Sequence, residues 1–206
     1  NSIDQWISRD DKGIYHAMNL GASMANGDLL GFLNAGDILF PQTIHTLVSE
    51  YKKYNFDYSI GSTVIKDLKG RYLGTHQSLK DTDLIYKSIP PMPSAHMGVY
   101  MKKSFFHELG GFDLNFRLSA DYDLLIRAIN FSKNAWFFQG PVGVFKTGGV
   151  SGSFKTHFEN YQVYKKHSVN LIKRSLILVY YLSRASLKFL FPNHIVYKIK
   201  YLLRIK

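Results

Sequence analysis

Four short stretches of the chain carry side chains that could do chemistry. Asp10-Asp11-Lys12-Gly13 sets carboxylates beside an amine. A carboxylate can hold a base or a ribose hydroxyl, and a lysine can offset phosphate charge. The same residues could equally cap a helix and face solvent. Asn34-Ala35-Gly36-Asp37 places an amide oxygen and a carboxylate in one turn. Such donors suit a hard divalent cation that shares its shell with phosphates, although an Asx turn uses the same residues. His96 follows Pro93-Ser94-Ala95 and could bind a phosphate or an acceptor, or serve as a hydrogen-bonded loop residue. Asp121 and Asp123, in Ser119-Ala120-Asp121-Tyr122-Asp123, are carboxylates of the kind that act as general bases. At a helix start they would also complement the helix dipole, by about 0.3–1 kcal/mol each. Two residues apart, they point to different faces and need not act as a pair.

What the sequence lacks excludes other chemistry. With no cysteine there is no disulfide scaffold, thiolate metal site or cysteine nucleophile, which fits a reducing cytoplasm. The histidines show no pair at ligand spacing on one helix, so zinc is not expected. Neither a Gly-x-Ser-x-Gly elbow nor a Walker-type Gly-Lys-Ser/Thr loop occurs. The first residue is Asn1, and Ile3 to Ile7 is too short and polar for a signal-peptide core, so the sequence reads as part of a longer protein.

The elements around these residues form an α/β pattern. Ile14, Met18, Gly21, Ala22 and Ala25 recur at helical spacing and predict a helix over Ile14 to Asn26, capped by Asp10 or Asp11. Leu29 to Leu33 is a short apolar run that predicts a buried strand ending at the Asn34–Asp37 turn. Pro41 is expected to open a helix to about Tyr54. In open α/β sheets ligands bind beyond the carboxyl ends of strands, which is where this turn falls. Tyr58 to Ile65 and Arg71 to Gln77 flank Lys69-Gly70 as a β-hairpin. A short helix is expected over Ser78 to Ser88, then a bend at Pro90-Pro91-Met92-Pro93. Gly98 to Met101 reads as a strand and Lys103 to Leu109 as a helix ended by Gly110-Gly111. Tyr122 to Ser132 reads as a helix with Leu124, Leu125, Ala128 and Ile129 inward and Ser119 as its cap. Phe137 to Phe145 is extended, Gly148 to Gly152 is a flexible loop, and helix follows from about His157, broken at Pro192.

Taken in order, these stretches resemble family 2 glycosyltransferases of the GT-A fold. Ser8-Arg9-Asp10-Asp11-Lys12-Gly13-Ile14-Tyr15-His16-Ala17-Met18-Asn19-Leu20-Gly21 resembles the family's "SEPDKGIYDAMNKG". Asn26-Gly27-Asp28 through Phe32-Leu33-Asn34-Ala35-Gly36-Asp37 is similar to "TGD…FLNADD" or "FLNSGD", and Pro93-Ser94-Ala95-His96 to "P-x-x-H-Q". Gly110-Gly111-Phe112-Asp113 and then Ser119 to Leu124 resemble "GGFDE…ASDYDL". Gly148-Gly149-Val150-Ser151 looks like the "GGVS" loop of the colanic-acid, exopolysaccharide type.

The resemblance implies an inverting transfer of a sugar from a nucleotide-diphosphate donor to a saccharide or lipid-linked hydroxyl, with Mn2+ or Mg2+ on the diphosphate. It implies that Asp11 and Lys12 contact the nucleotide, that Asn34, Asp37 and His96 serve the metal-diphosphate region with Asp37 nearest the cation, and that Asp121 is the base. It also implies that the family's first strands, with their "STD" contact, lie before residue 1. Gly36 and Asn34 stand where many members have aspartate, which keeps open a non-catalytic homologue that binds nucleotide sugar or membrane.

Charge divides the chain at Glu159. All fifteen acidic residues lie at or before it, and ten lysines and arginines follow with no carboxylate. Residues 1–156 are read as the catalytic domain and 157–206 as a basic amphipathic helical region. The apolar run Leu176 to Leu182 is far short of the ~20 residues a bilayer span needs. Basic amphipathic helices of this kind lie on anionic membrane surfaces, so a cytoplasmic enzyme held at the inner face of the plasma membrane is expected. Packing on the catalytic domain or in a dimer would use the same faces. No nucleic-acid-binding motif accompanies the charge, and no nucleic-acid partner is expected.

Overall fold

The computed structural model describes residues 3–78, 94–148 and 153–190. The helix expected after Ser78, the proline bend, residues 149–152 and all residues after Leu190 lie outside the described residues.

Helix α1, Ile14–Met24, begins at Gly13, whose φ of 115° suits glycine. Asp11 is not its cap. Its Oδ1 accepts the Gly13 N–H at 2.7 Å, an Asx turn ahead of the helix. The buried side also differs from the expected one. Tyr15 and Ala22 are buried, with Met18 and Ala25 packed against the core, while Ile14 and Gly21 face solvent. The Tyr15 ring has more apolar area to hide than Ile14, and one position along a helix turns the face by about 100°.

Strand β1 is only Leu29–Gly31, because Phe32 leaves the sheet to pack on Phe106 and Phe112, and Leu33 is exposed. A two-residue strand, β2, Ile38–Leu39, follows the Asn34–Asp37 turn. Helix α2, Thr43–Tyr54, starts two residues after Pro41, with the Thr43 hydroxyl donating to the Val142 carbonyl at 2.6 Å. The hairpin forms as β3, Tyr58–Lys66, and β4, Tyr72–His76. A 3₁₀ turn, His96–Gly98, leads into β5, Val99–Lys102, and α3, Lys103–Glu108. Helix α4, Ala120–Phe131, buries Leu124, Leu125, Ala128 and Ile129 as its pattern indicated. Ser119 precedes it, but its buried hydroxyl makes no capping bond. Strand β6, Ala135–Lys146, is followed by α5, Phe154–Lys166, and α6, Leu171–Leu190.

Among the described residues, six strands form one mixed sheet ordered β1-β5-β3-β6-β2, with β4 paired to β3. Only β3 and β6 run parallel; the other pairs are antiparallel. Alternation along β5 splits the core. Met101 faces a cluster with Tyr58, Phe106, Phe112 and Leu125. Tyr100 faces the other, with Leu47, Phe56, Phe138 and Val142. Each such side chain removed from water contributes about 1.5–3 kcal/mol. The larger cluster joins α1, α3 and α4 to the sheet, and so fixes the segments that carry the chemistry.

Candidate active site

Asp121 sits in the first turn of α4. Its Oδ1 accepts the Tyr15 hydroxyl at 2.8 Å and the Tyr122 N–H at 2.9 Å. Burial raises its pKa above the usual carboxylate range, while the Tyr15 hydrogen bond and the nearby His96 work in the opposite direction. Tyr15 remains a phenol. Burial, and then the Asp121 charge, push its pKa far above the ordinary tyrosine range. Asp121 and His96 share a cavity of about 30 Å³ with Phe32, Phe106 and Phe112. That space holds water, not a sugar, so a substrate would meet the carboxylate from the cavity's mouth.

His96 brings Asp37 to the same place. Its Nε2 is 3.8 Å from Asp37 Oδ2, and among the described residues neither atom has a hydrogen-bond partner. Asp37 Oδ1 is occupied by the Lys146 N–H at 2.9 Å, and the Asn34 carbonyl accepts the Asp37 N–H at 3.1 Å. The turn therefore aims one buried carboxylate oxygen, unsatisfied, at one buried imidazole nitrogen. An orphaned polar atom of this kind costs about 1–3 kcal/mol, more if charged, unless a ligand completes it. Among the described residues no three His, Cys, Asp or Glu gather at one metal position. A lone carboxylate oxygen still fits Mg2+, which keeps several waters and binds through one or two carboxylates plus substrate phosphates.

Asp11 and Lys12 line a separate open cleft of about 480 Å³ with Tyr15, His16, Leu114, Phe116 and Arg117. Tyr15 joins this cleft to Asp121: its ring is part of the wall and its hydroxyl reaches the carboxylate.

Side chains that sequence reasoning passed over hold these pieces in register. Asn19, one turn after Tyr15, donates from Nδ2 to the Phe112 carbonyl and accepts the Phe112 N–H at Oδ1, both at 2.9 Å. At Gly111, with φ 68°, a Cβ would sit 2.8 Å from that Oδ1. Arg127 donates to the Leu109 carbonyl and, at 2.7 Å, to that of Gly111. Glu159 accepts the N–H groups of Arg117 and Leu118 at 2.9 and 2.5 Å. Asp123 is wholly buried against Arg127, Lys166 and His167 at 2.8, 2.8 and 2.9 Å. Burial opposes its charge, but hydrogen bonds from His167 and Lys166, with the Arg127 guanidinium, hold its pKa down to about 2. Asp123 is thus a tie between α4 and α5. The i, i+4 spacing of Tyr15 and Asn19 was the one available sequence signal for these roles.

Residues 6–117 match the model of glycosyl transferase family 2. A PGL/p-HBAD biosynthesis glycosyltransferase of Mycobacterium bovis (strain BCG / Pasteur) is 28% identical over 129 residues, 60% of this chain and 47% of that protein. An uncharacterized glycosyltransferase of Mycobacterium tuberculosis (strain H37Rv) is 29% identical over 133 residues, with the same coverage of 60% and 47%. The chain spans about half the length of the curated relatives it matches. Among solved structures, S. aureus TarS 1-349 in complex with UDP-GlcNAc superposes with a TM-score of 0.57 at 12% identity, over 85% of this chain and 54% of that one. The TarS likeness is one of fold: a GT-A-like mixed α/β sheet flanked by helices.

Proposed function

The chain belongs to glycosyl transferase family 2, and on that premise we propose that this protein transfers a sugar from a nucleotide-diphosphate donor to an acceptor hydroxyl. Asp121 is the base in this proposal. An alcohol is a poor nucleophile until a carboxylate takes its proton. The carrying observation is the Asp121 carboxylate, held by Tyr15 at 2.8 Å in a cavity it shares with His96. The family match ends at Arg117, so this assignment rests on that geometry and on the order of the motifs around it.

Asp37 Oδ2 would hold a divalent cation, Mn2+ or Mg2+, whose charge stabilises a leaving diphosphate. In this reading His96 Nε2 donates to a phosphate oxygen beside it, and Asn34 shapes the turn. Asp11 and Lys12 would meet the nucleotide in their cleft, where Lys12 and Arg117 favour an anion. One base on the acceptor side is what an inverting displacement requires, with no covalent sugar intermediate. The acceptor we favour is a saccharide or lipid-linked one of the cell surface, met at the cytoplasmic face of the plasma membrane.

Helix α6 supports the membrane part. Ile172, Leu176 and Val179 form an exposed apolar stripe, while Ile177 packs on the core and Arg174 lies over Tyr161. The ten basic residues after Glu159, without a carboxylate, complement an anionic surface. No described helix is long and apolar enough to cross a membrane, so α6 would lie on it.

A second reading, a homologue that binds without turning over, is favoured by Asn34 and Gly36 in the turn. Calorimetry of the intact protein with UDP and manganese, paired with hydrolysis of UDP-GlcNAc, separates the two. Binding with turnover supports the enzyme, binding without turnover supports the second reading, and absence of both counts against this donor class.

A further inference from the structure

We propose that Tyr15 is a positioning residue for Asp121, fixing one carboxylate oxygen so that the other meets the acceptor, and tying the base to the cleft of Asp11 and Lys12. The proposal rests on the reading of Asp121 as the base. Oδ1 accepts both the Tyr15 hydroxyl at 2.8 Å and the Tyr122 N–H at 2.9 Å, and the Asp121 backbone N–H also bonds the carboxylate. With Oδ1 held in this way, Oδ2 is the oxygen assigned to the incoming hydroxyl. A carboxyl group free to rotate would present either oxygen in many directions, and misplacement of a reacting atom by about 1 Å can cost on the order of a hundredfold in rate.

The tyrosine is itself held. Its ring packs on Phe112 with centroids 5.1 Å apart, and it is 8% exposed. Phe112 is clamped by Asn19, four residues along the same helix face. A buried phenol needs a hydrogen-bond partner, and a backbone carbonyl would satisfy that need. This one instead spends its proton on the carboxylate, from a helix whose preceding residues line the cleft. Anything bound against residues 11–15 touches the ring whose hydroxyl orients the base. The titratable groups around Asp121 are Tyr15 from α1 and His96 from the 3₁₀ turn, with Glu159 of α5 acting on Tyr15.

The test is a carbon-13 NMR titration of aspartate carboxyls in the intact protein. The Asp121 signal is assigned by its loss in Asp121→Asn. Removing the donor with Tyr15→Phe should raise the Asp121 midpoint by about one unit, a tenfold change in protonation. Replacing Tyr15 by 3-fluorotyrosine keeps the ring and strengthens the donor, and should lower the midpoint. The acid limb of UDP-GlcNAc turnover should follow in both directions, with the melting temperature of the fluorotyrosine protein unchanged. A midpoint unmoved by both replacements overturns the positioning role and leaves the base assignment standing. Turnover retained in Asp121→Asn removes the base, and the positioning role with it.

Discussion

Gly36 lies in the Asn34–Asp37 turn, and its backbone shows why it is glycine here. Its φ is 94°, in the range that L side chains rarely adopt. An aspartate there would be strained by about 1–3 kcal/mol. The turn therefore keeps one carboxylate, Asp37, with a single oxygen unsatisfied. Gly36→Ala should lower stability by about that 1–3 kcal/mol, read as a fall in denaturation midpoint, without removing any side-chain ligand. At this scale the order of the motifs made Asp37, His96 and Asp121 candidates, although each taken alone also fits a turn, loop or helix-dipole role. It did not make Tyr15 visible. A tyrosine at a helical core position looks like packing until its hydroxyl is located against a residue far along the chain. Raised above the ordinary range by burial, Asp121 should also set the acid limb of activity above that of an exposed carboxylate, since only its ionised form accepts a proton.

Helix α5 governs more of the site than its position after the matched family residues suggests. Its Glu159 holds the backbone of Arg117 and Leu118, and its Lys166 reaches both Asp113 and Asp123. Between them these contacts fix both ends of the loop that connects Gly110-Gly111-Phe112 to the Asp121 helix. Asp123→Ala would leave Arg127 and Lys166 without their buried partner. Breaking such a pair costs about 3–5 kcal/mol, which chemical denaturation would measure. The pH dependence has a definite sign. With a folded pKa of about 2, below its unfolded value, Asp123 stabilises the fold above the ordinary carboxylate range and loses that contribution as pH falls toward 2. Acid unfolding of the wild type should therefore begin at lower pH than that of Asp123→Ala, which lacks this contribution. Helix periodicity gave the inner side of α4 correctly, since leucines and isoleucine at that spacing have no polar alternative. It misjudged α1 by one position, where a tyrosine outcompeted an isoleucine for the core.

The whole molecule is a scaffold that converts sequence order into proximity. The β3–β6 parallel pair brings residues 58–66 beside residues 135–146, and Asp37 bonds the last residue of that strand, Lys146. No local pattern foretells such pairings, which is why the fold class was legible from alternating helix and strand signals while β2 was not. Asp37, His96 and Asp121, distant in sequence, come near one another, and α6 presents Ile172, Leu176, Val179 and Lys173 outward. Flotation with anionic vesicles should capture the protein at low salt and release it steeply as salt rises, because each basic residue contributes about 1 kcal/mol through a screened field. Ile172→Glu should weaken capture further, and salt-independent capture would contradict docking by charge. The most direct measurement is turnover of Asp121→Asn in the intact protein, alongside UDP binding and thermal melting. The expected result is a loss of at least about a hundredfold in turnover with UDP binding and melting little changed. Turnover within a few-fold of wild type would contradict Asp121 as the base.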